Sequence, residues 1–214
     1  MNRDLHHVRQ HYGFGQLDEA GAGGDPFALF ARWLDEAVSA KLYEPTAMAL
    51  ATTTPDGSPS LRMVLLKHFS REGFVFYTNL ESRKGKELRA NSRVALLFWW
   101  DALERQVRIE GKVTPVAAAE ADRYFAARPR ASQLAAAASP QSRVVLDRKE
   151  LEQRVEIVES RFRERTIPRP DNWGGCRVGP ESFEFWQGRE SRLHDRLRFT
   201  LCGVEAWQRE RLAP

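Results

Sequence analysis

The chain has 214 residues, a formal net charge of +4 and 29% charged residues. This length fits one large domain, or one domain with helical additions. The longest apolar run, residues 94–100, has the length of a strand and ends at Asp101, so the sequence predicts no transmembrane helix. The mild positive charge suits a small anionic ligand better than nucleic acid, because nucleic-acid binders usually concentrate their charge in one block.

The cysteine count and the amino-terminal composition indicate a cellular compartment. Cys176 and Cys202 are too few for a disulfide framework. The first seven residues contain no apolar stretch of the kind found in a secretory signal. We therefore expect a cytoplasmic protein whose cysteines stay reduced.

Residues 1–24 are predicted to form an amino-terminal arm, and residues 25–214 a single domain. The arm is polar and ends in a glycine-rich stretch, which is typical of a partly helical segment followed by a flexible loop. His6, His7 and His11 lack a carboxylate or cysteine at ligand spacing. A surface arm is therefore expected here, and no metal site.

Two amphipathic helices are predicted to pack against the domain. The first begins with Asp25 as N-cap and Pro26 at the first helical position. Its apolar stripe at helical spacing comprises Phe27, Phe30, Leu34 and Val38. The second covers residues 147–165. Its stripe comprises Leu151, Val155, Val158 and Phe162.

Short runs of β-branched and aromatic residues, separated by turn residues, predict an antiparallel sheet. The predicted strands are residues 47–53, 59–68, 73–79, 93–100, 104–115, 173–178, 182–187, 192–199 and 204–209. Most are joined as hairpins, and the predicted helices lie at the edges. The sequence therefore predicts an α+β fold whose antiparallel sheet closes into a barrel.

Two basic segments are candidates for binding phosphate. Arg62 and Lys67 are five residues apart, so a regular strand would point them to opposite faces, and only a bend or bulge lets both reach one ligand. Ser82 has the residue type of an N-cap, and Arg83 and Lys84 follow it. A helix start with two cations is a suitable phosphate site, although a solvated helix has the same composition.

A third candidate lies in the alanine-rich stretch after the last long predicted hairpin. Tyr124, Arg128 and Ser132 recur every four residues, which places them on one helical face, or near it if Pro129 kinks the helix. A phenol, a guanidinium and a hydroxyl are suitable donors for a phosphate. An ordinary polar helix face would have the same pattern.

The stretch from residue 183 to residue 196 contains the most specific motif. It is predicted to form two short strands around a turn, with Arg192, His194 and Arg196 on one strand face. Trp186, on the strand before, offers a flat ring surface. A phosphate-bearing aromatic ligand could use both features, and a solvated strand face with a core tryptophan remains the alternative.

The order Glu184-Phe-Trp-Gln187, four residues, then Arg192-Leu-His-Asp-Arg196 resembles the signature of the pyridoxamine 5′-phosphate oxidase family. The resemblance runs from Arg9 to Pro214. It implies a split β-barrel that binds FMN at a homodimer interface. It also implies oxidation of pyridoxamine or pyridoxine 5′-phosphate by O₂ to pyridoxal 5′-phosphate, with release of H₂O₂, in vitamin B6 synthesis and salvage.

The resemblance also assigns roles to residues. It implies FMN contacts from Arg62, Met63, Val64, Leu65, Leu66, Lys67, Tyr77, Thr78, Arg83, Lys84, Gln106, Gln141, Ser142, Trp186 and Arg196. It implies substrate contacts from Arg9, Tyr12, Lys67, Tyr124, Arg128, Ser132, Arg192 and His194. Arg192 and His194 are expected to act in catalysis by holding the pyridine ring over the flavin. Arg9 and Tyr12 are expected to close over the site as a lid.

Two other classes of protein are compatible with parts of this pattern. A related flavin or deazaflavin reductase with another substrate would keep the phosphate site around Arg62, Arg83 and Lys84, but it would not need Arg192 and His194. A non-enzymatic protein could use its basic surface on nucleic acid, in which case the purified protein would carry no flavin and would bind DNA in a salt-dependent manner.

Overall fold

The structure is a computed structural model that describes Tyr12, Gly13 and residues 15–214. Its helices are α1 (Glu19–Ala22), α2 (Pro26–Ser39), α3 (Arg83–Ala90), α4 (Ala118–Ala127), α5 (Arg130–Ala138) and α6 (Arg148–Phe162). Its strands are β1 (Ala47–Thr53), β2 (Pro59–Leu65), β3 (His68–Ser70), β4 (Gly73–Asn79), β5 (Arg93–Trp100), β6 (Arg105–Pro115), β7 (Trp173–Gln187), β8 (Asp195–Leu201) and β9 (Trp207–Arg211). The predicted role of Arg9 falls outside the described residues.

The strands of this described part form one sheet in the order β2-β1-β5-β6-β7-β4-β3, and β8 pairs with both β7 and β9. The pairs β3–β4, β4–β7, β7–β8 and β8–β9 are all antiparallel. Backbone contacts divide the chain into two compact units. The first unit contains the described residues up to Ala49, Ala95–Glu110 and Pro180–Pro214, and the second contains Leu50–Val94 and Gly111–Gly179.

Aromatic packing fills the core of the first unit. Phe30 of α2 is fully buried, with its ring centroid 5.0 Å from that of Phe98 and 6.2 Å from that of Trp100. Phe183 and Phe185 stack 6.1 Å apart with nearly parallel rings. In the second unit, the buried core residues are Phe125, Leu134, Ile167 and Trp173. Half-buried side chains of α6 pack against this core.

Helix α2 begins as predicted and buries a slightly different face. The Asp25 side chain accepts the Phe27 N–H, and Pro26 is the first helical residue. Val38, predicted to be in the apolar stripe, is 53% exposed, whereas Trp33 and Ala37 are buried. After Phe30 the buried residues follow the 3.6-residue repeat of the helix. Val38 is one residue after the buried Ala37, so it points about 100° away from it and toward solvent.

Prolines and strand limits account for most of the other differences. Of the two alternatives for residues 124–132, the kink at Pro129 applies and is a full break between α4 and α5, because Arg128 and Pro129 have extended backbones, with ψ of 149° and 140°, as expected for a proline and the residue before it. The predicted strands 173–178 and 182–187 are one continuous strand, β7. The predicted strand 59–68 ends at Leu65, so Lys67 lies in the bend before β3.

The start of α3 depends on a close backbone approach. Ser82 is its N-cap, as predicted, and its side chain accepts the Gly85 N–H at 3.3 Å. A Cβ atom at Gly85 would lie 2.2 Å from the Leu80 carbonyl oxygen. Only glycine therefore allows this first helical turn to pack where it does. No helix in the described range of the chain is long and apolar enough to cross a membrane.

Replacing Gly85 by alanine should destabilise the protein by roughly 1–3 kcal/mol, because the new methyl group must displace backbone. Thermal unfolding of the variant measures the loss. Gly24→Ala is the matched control, since a Cβ there meets nothing within 4 Å. Equal melting temperatures for the two variants would contradict the role of this close approach.

Candidate functional site

A cavity of about 440 Å³ in the second unit collects residues from position 63 to position 173. The predicted site residues that line it are Met63, Val64, Leu65, Lys67, Tyr77, Thr78, Lys84, Tyr124, Arg128, Ser132 and Gln141. The sequence analysis missed five further lining residues, which are Asn79, Ala135, Ala136, Ser139 and Trp173. All three basic or donor-rich segments of the sequence, around Lys67, Lys84 and Arg128, therefore contribute to one cavity.

Stacked aromatic rings form one wall of this cavity. The Tyr77 ring lies 4.0 Å from Tyr124 and 5.2 Å from Trp173, with interplanar angles of 14° and 9°. Tyr77 pairs with Gly175 across the β4–β7 ladder, and a Cβ at Gly175 would lie 2.8 Å from the Tyr77 ring. The glycine therefore leaves room for the ring. In the sequence, Trp173 directly precedes Gly174 and Gly175. This pattern of a large ring beside two glycines is the one local feature that sets Trp173 apart.

Arg128 has an unsatisfied donor at this cavity. Its guanidinium carbon lies 4.9 Å from the Trp173 ring centroid. Its Nη1 atom is buried and has no hydrogen-bond partner among the described residues. Burial lowers the pKa of Arg128 from its ordinary value, which reflects the cost of holding this charge away from water. An anion bound in the cavity would satisfy both the donor and the charge.

The helix break at Pro129 helps to place Arg128 and Ser132. Because Arg128 is extended rather than helical, the two residues do not lie on one continuous helix face, yet both line the cavity. The Gln133 side chain donates to the Arg128 carbonyl at 2.8 Å and so holds the extended turn. The two residues therefore reach one cavity through a local geometry that differs from the predicted helix face.

A second concentration of charge surrounds the buried carboxylate of Glu87 on α3. Its Oε2 lies 3.0 Å from Arg62 Nη2, and its Oε1 lies 2.8 Å from Arg83 Nε. Lys84 is also buried, and its Nζ donates to Thr78 Oγ1 at 3.2 Å. Burial, followed by the nearby Arg62 charge, lowers the pKa of Lys84. We call Arg62, Arg83, Lys84 and Glu87 the Glu87 cluster.

Arg62 and Arg83 differ in which guanidinium nitrogens remain available to a ligand. The two terminal nitrogens of Arg62 donate to Leu50 O, Thr52 Oγ1, Ser60 Oγ and Glu87, which leaves its Nε without a partner in the described chain. Toward the residues that the structure describes, Arg83 donates only through Nε. Neither arginine lines the cavity, and neither do Leu66, which is buried, or Ser142, which is exposed.

Gln141 links the cavity to the start of α3. Its Oε1 lies 3.3 Å from both Thr78 Oγ1 and the Asn79 backbone nitrogen. Thr78 in turn accepts from Lys84. A chain of hydrogen bonds therefore connects the loop that carries Gln141 with Lys84 of the Glu87 cluster.

The signature residues lie in the first unit, and their predicted strand geometry is wrong. Strand β8 begins at Asp195, and Arg192 ends a short 3₁₀ turn, Glu190–Arg192. Ser191 and Arg192 have left-handed φ angles of 55° and 61°, which extended strands do not adopt. Arg192 and His194 consequently do not share a strand face with Arg196, and the Arg192 side chain is exposed.

His194 is held in a defined orientation by its neighbours. Its Nδ1 accepts the Arg189 backbone N–H at 3.1 Å, so in the neutral imidazole the proton lies on Nε2. Its ring is 4.6 Å from Trp186 and 5.4 Å from Tyr12. Burial, followed by the charge of Arg192, lowers the pKa of His194 from 6.5. Nε2 is therefore a neutral donor with no partner within the described residues.

Tyr12 lies over these signature residues. Its ring centroid is 5.7 Å from that of Trp186, at an interplanar angle of 89°. A Cβ at Gly188 would lie 2.8 Å from the Tyr12 ring, so a glycine at this position allows the contact.

Arg196 and Gln106 complete the predicted set. Arg196 donates through Nε and Nη2 to Glu184 Oε1, both at 2.9 Å, and through Nη1 to Ala213 O at 2.7 Å. Glu184 is buried and also pairs with Arg108 at 3.1 Å. Gln106 lies half-buried on β6.

The sheet order and the antiparallel pairing define an antiparallel split β-barrel with peripheral helices, as predicted. The solved structure of PhzG from Burkholderia lata 383, in complex with tetrahydrophenazine-1-carboxylic acid, has the same architecture. It is 31% identical to this chain with a TM-score of 0.88, and the match covers 94% of this chain and 100% of that one.

Sequence comparison narrows the class to a family. A model described as pyridoxamine 5′-phosphate oxidase matches residues 34–162, and one described as the pyridoxine 5′-phosphate oxidase C-terminal dimerisation region matches residues 173–214. The chain belongs to the pyridoxamine 5′-phosphate oxidase family. A relative named pyridoxine/pyridoxamine 5′-phosphate oxidase from Rubrobacter xylanophilus is 56% identical over 99% of this chain and 97% of its own. One of the same name from Trichormus variabilis is 50% identical over 100% of both chains.

Replacing Arg192 by alanine should raise the pKa of His194, because the variant removes a positive charge that disfavours the imidazolium. Titration of the His194 ring resonances by NMR measures the shift. Arg198→Ala removes an equal charge from an arginine paired with Glu210 and should leave the His194 pKa unchanged. Identical titration curves for all three proteins would contradict the proposed coupling.

Proposed function

We propose that the protein is an FMN-dependent oxidase that converts pyridoxamine or pyridoxine 5′-phosphate to pyridoxal 5′-phosphate, consuming O₂ and releasing H₂O₂. The observation that carries this proposal is the buried, unpartnered Nη1 of Arg128 in a cavity that Lys67, Tyr124 and Ser132 also line. Such a set of cationic and hydroxyl donors suits the phosphate of the substrate. Family membership supports the same substrate class.

The cofactor phosphate is assigned to the Glu87 cluster. Three cations around one carboxylate leave a formal excess of two positive charges. A phosphate monoester carries about −1.5 to −2 charge at pH 7, so FMN would balance this excess. The start of α3 adds backbone N–H groups that have no acceptor within the helix. The residues present therefore fit the phosphate of FMN.

The remaining cofactor contacts extend from this cluster. Met63, Val64, Leu65, Lys67, Tyr77, Thr78 and Gln141 line the cavity, where they can contact the flavin ring. Leu66 is assigned to the cofactor by the family resemblance. Ser142, Gln106, Trp186 and Arg196 are assigned to the same cofactor by the family resemblance.

Arg192 and His194 are the proposed catalytic residues. Bound FMN would supply the redox chemistry, as the acceptor for a hydride from C4′ of the substrate and the source of electrons for O₂. His194 holds a proton on Nε2 and can donate a hydrogen bond from it to the phenolic oxygen of the pyridine ring. The Arg192 guanidinium can stabilise charge that develops during hydride transfer. Tyr12 and Arg9 would close over the bound substrate.

The protein is proposed to work as a homodimer. Residues 173–214 match the C-terminal dimerisation region of the family, and they include all four signature residues assigned to FMN or substrate. The cytoplasmic location, the domain boundary at residue 24 and the absence of nucleic-acid or membrane partners stay predictions.

A related flavin enzyme with another substrate is the second candidate, and the relative PhzG gives it a specific form. Its structure contains tetrahydrophenazine-1-carboxylic acid, a ligand whose name includes a carboxylic acid and no phosphate. The donors of Lys67, Tyr124, Arg128 and Ser132 favour a phosphorylated substrate for this chain. Purification followed by a flavin spectrum and a peroxide assay decides the proposal. FMN and peroxide formed from pyridoxamine 5′-phosphate support it, and their absence refutes it.

Replacing Arg128 by alanine should lower kcat/KM for pyridoxamine 5′-phosphate by about 10- to 100-fold, since a charged hydrogen bond contributes roughly 1.5–3 kcal/mol. FMN content should not change. Arg123→Ala, which replaces an exposed arginine on α4, the helix that ends just before Arg128, is the charge-matched control and should retain activity. Equal losses of kcat/KM in the two variants would contradict the assignment of Arg128 to the substrate phosphate.

Replacing Arg192 by alanine should lower kcat by about 100-fold or more, because an electrostatic group acting in the transition state is lost. Bound FMN, measured by absorbance after gel filtration, should remain at the wild-type level. Loss of flavin in this variant would mean that Arg192 belongs to the cofactor site instead.

A further inference from the structure

Glu87 is the buried acceptor that holds both arginines of the Glu87 cluster, and the sequence analysis did not single it out. Its side chain is only 4% exposed, whereas those of Arg62 and Arg83 are 20% and 62% exposed. A buried carboxylate beneath a cationic surface opposes anion binding by its charge. Its presence therefore requires a reason other than charge.

One oxygen of Glu87 controls how Arg83 is presented. Oε1 accepts from Arg83 Nε at 2.8 Å. Both terminal nitrogens of Arg83 are left without a partner in the part of the chain that the structure describes. A guanidinium held by Nε keeps its outer pair of nitrogens for bidentate contact with a phosphate.

The other oxygen fixes the carboxylate itself. Oε2 accepts from Ser60 Oγ at 2.7 Å, from Thr52 Oγ1 at 2.5 Å and from Arg62 Nη2 at 3.0 Å. Burial raises the pKa of Glu87, but these hydrogen bonds and that of Arg83 outweigh it and lower the pKa to about 2. The carboxylate is therefore ionised and fully engaged at neutral pH.

We propose that Glu87 is a positioning residue of the cofactor site, which acts through Arg83 to orient its terminal nitrogens toward the phosphate of FMN. This inference rests on the proposed function. It predicts that FMN affinity changes in the direction opposite to the one expected from the charge of Glu87 alone. Removing the negative charge of Glu87 would strengthen FMN binding if charge alone mattered, and it will weaken FMN binding if the orientation of Arg83 matters.

Glu87→Gln is the decisive variant because glutamine has nearly the same shape. In glutamine, an NH₂ group replaces one of the two carboxylate oxygens, and this group donates hydrogen bonds but cannot accept them. The side chains that now donate to that oxygen would lose their acceptor. At least one arginine must then lose its acceptor. Glu81→Gln is the matched control. It removes a carboxylate that pairs with Arg89 at 2.7 Å and is 44% exposed, six residues before Glu87.

The measurement is the affinity of the apoprotein for FMN and for riboflavin, followed by quenching of flavin fluorescence. Riboflavin lacks the phosphate, so its affinity reports on the rest of the site. We expect Glu87→Gln to weaken FMN binding about tenfold or more and to leave riboflavin binding unchanged. Glu81→Gln should change neither. Arg83→Ala should cause a similar loss, and adding it to Glu87→Gln should cause little further loss.

The outcomes separate this inference from the proposed function. If wild-type protein binds FMN no better than riboflavin, the phosphate site of the proposed function fails. If wild-type protein prefers FMN and Glu87→Gln keeps or increases that preference, the positioning role is overturned. A loss of affinity for both flavins in Glu87→Gln would also overturn it, because it would indicate general damage.

Arg83→Lys decides the question if Glu87→Gln does not fold. Arg83 is largely exposed, so this variant should fold normally. Lysine keeps the positive charge but has no Nε group for Glu87 to hold, so FMN affinity should fall nearly as far as in Arg83→Ala. Wild-type FMN affinity in Arg83→Lys would overturn the inference.

Discussion

The ladder between β4 and β7 is the constraint on which both proposed anion sites of the second unit depend. It pairs Tyr77 with Gly175 and Thr78 with Gly174, and the backbone pairing continues where Leu80 N–H donates to Asn172 O at 2.6 Å. The two glycines leave room for the Tyr77 ring and the Leu80 side chain. Just beyond the ladder, the Asn79 carbonyl accepts from Ser82 Oγ at 2.6 Å. The same strand therefore supplies a cavity wall and starts α3.

The charge arrangement of the second unit has a consequence for its acid stability. Glu87 has a folded-state pKa of about 2, below its ordinary 4.5. The folded state therefore holds this carboxylate ionised at pH values where the unfolded chain would protonate it. Its contribution to stability is complete above pH 4.5 and is lost as the pH falls toward 2. Only near pH 2, where the folded carboxylate itself takes up a proton, do Arg62 and Arg83 lose the charge of their common acceptor, so the cluster should loosen there.

Residue patterns predicted the fold class, most strands and the caps of α2 and α3, because these depend on local chemistry. Ser82 and Asp25 are caps in the structure as in the sequence. The left-handed turn at Arg192 could not be read from alternation, because a non-glycine residue with positive φ leaves no pattern. Trp173 and Glu87 were missed for another reason. A single tryptophan at a strand start or a single glutamate within a basic helix has the composition of ordinary packing or solvation, and only the fold reveals its neighbours.

In the proposed reaction, one phosphorylated molecule stays bound and the other leaves after each turnover, and the two sites differ accordingly. The Glu87 cluster has three cations, the start of a helix and a buried carboxylate that fixes the arginines. The substrate site has Lys67, which is exposed, and Arg128, together with the neutral donors of Tyr124 and Ser132. Fewer fixed charges and more solvent contact weaken phosphate binding. The first site is therefore suited to retain a cofactor, and the second to release a product.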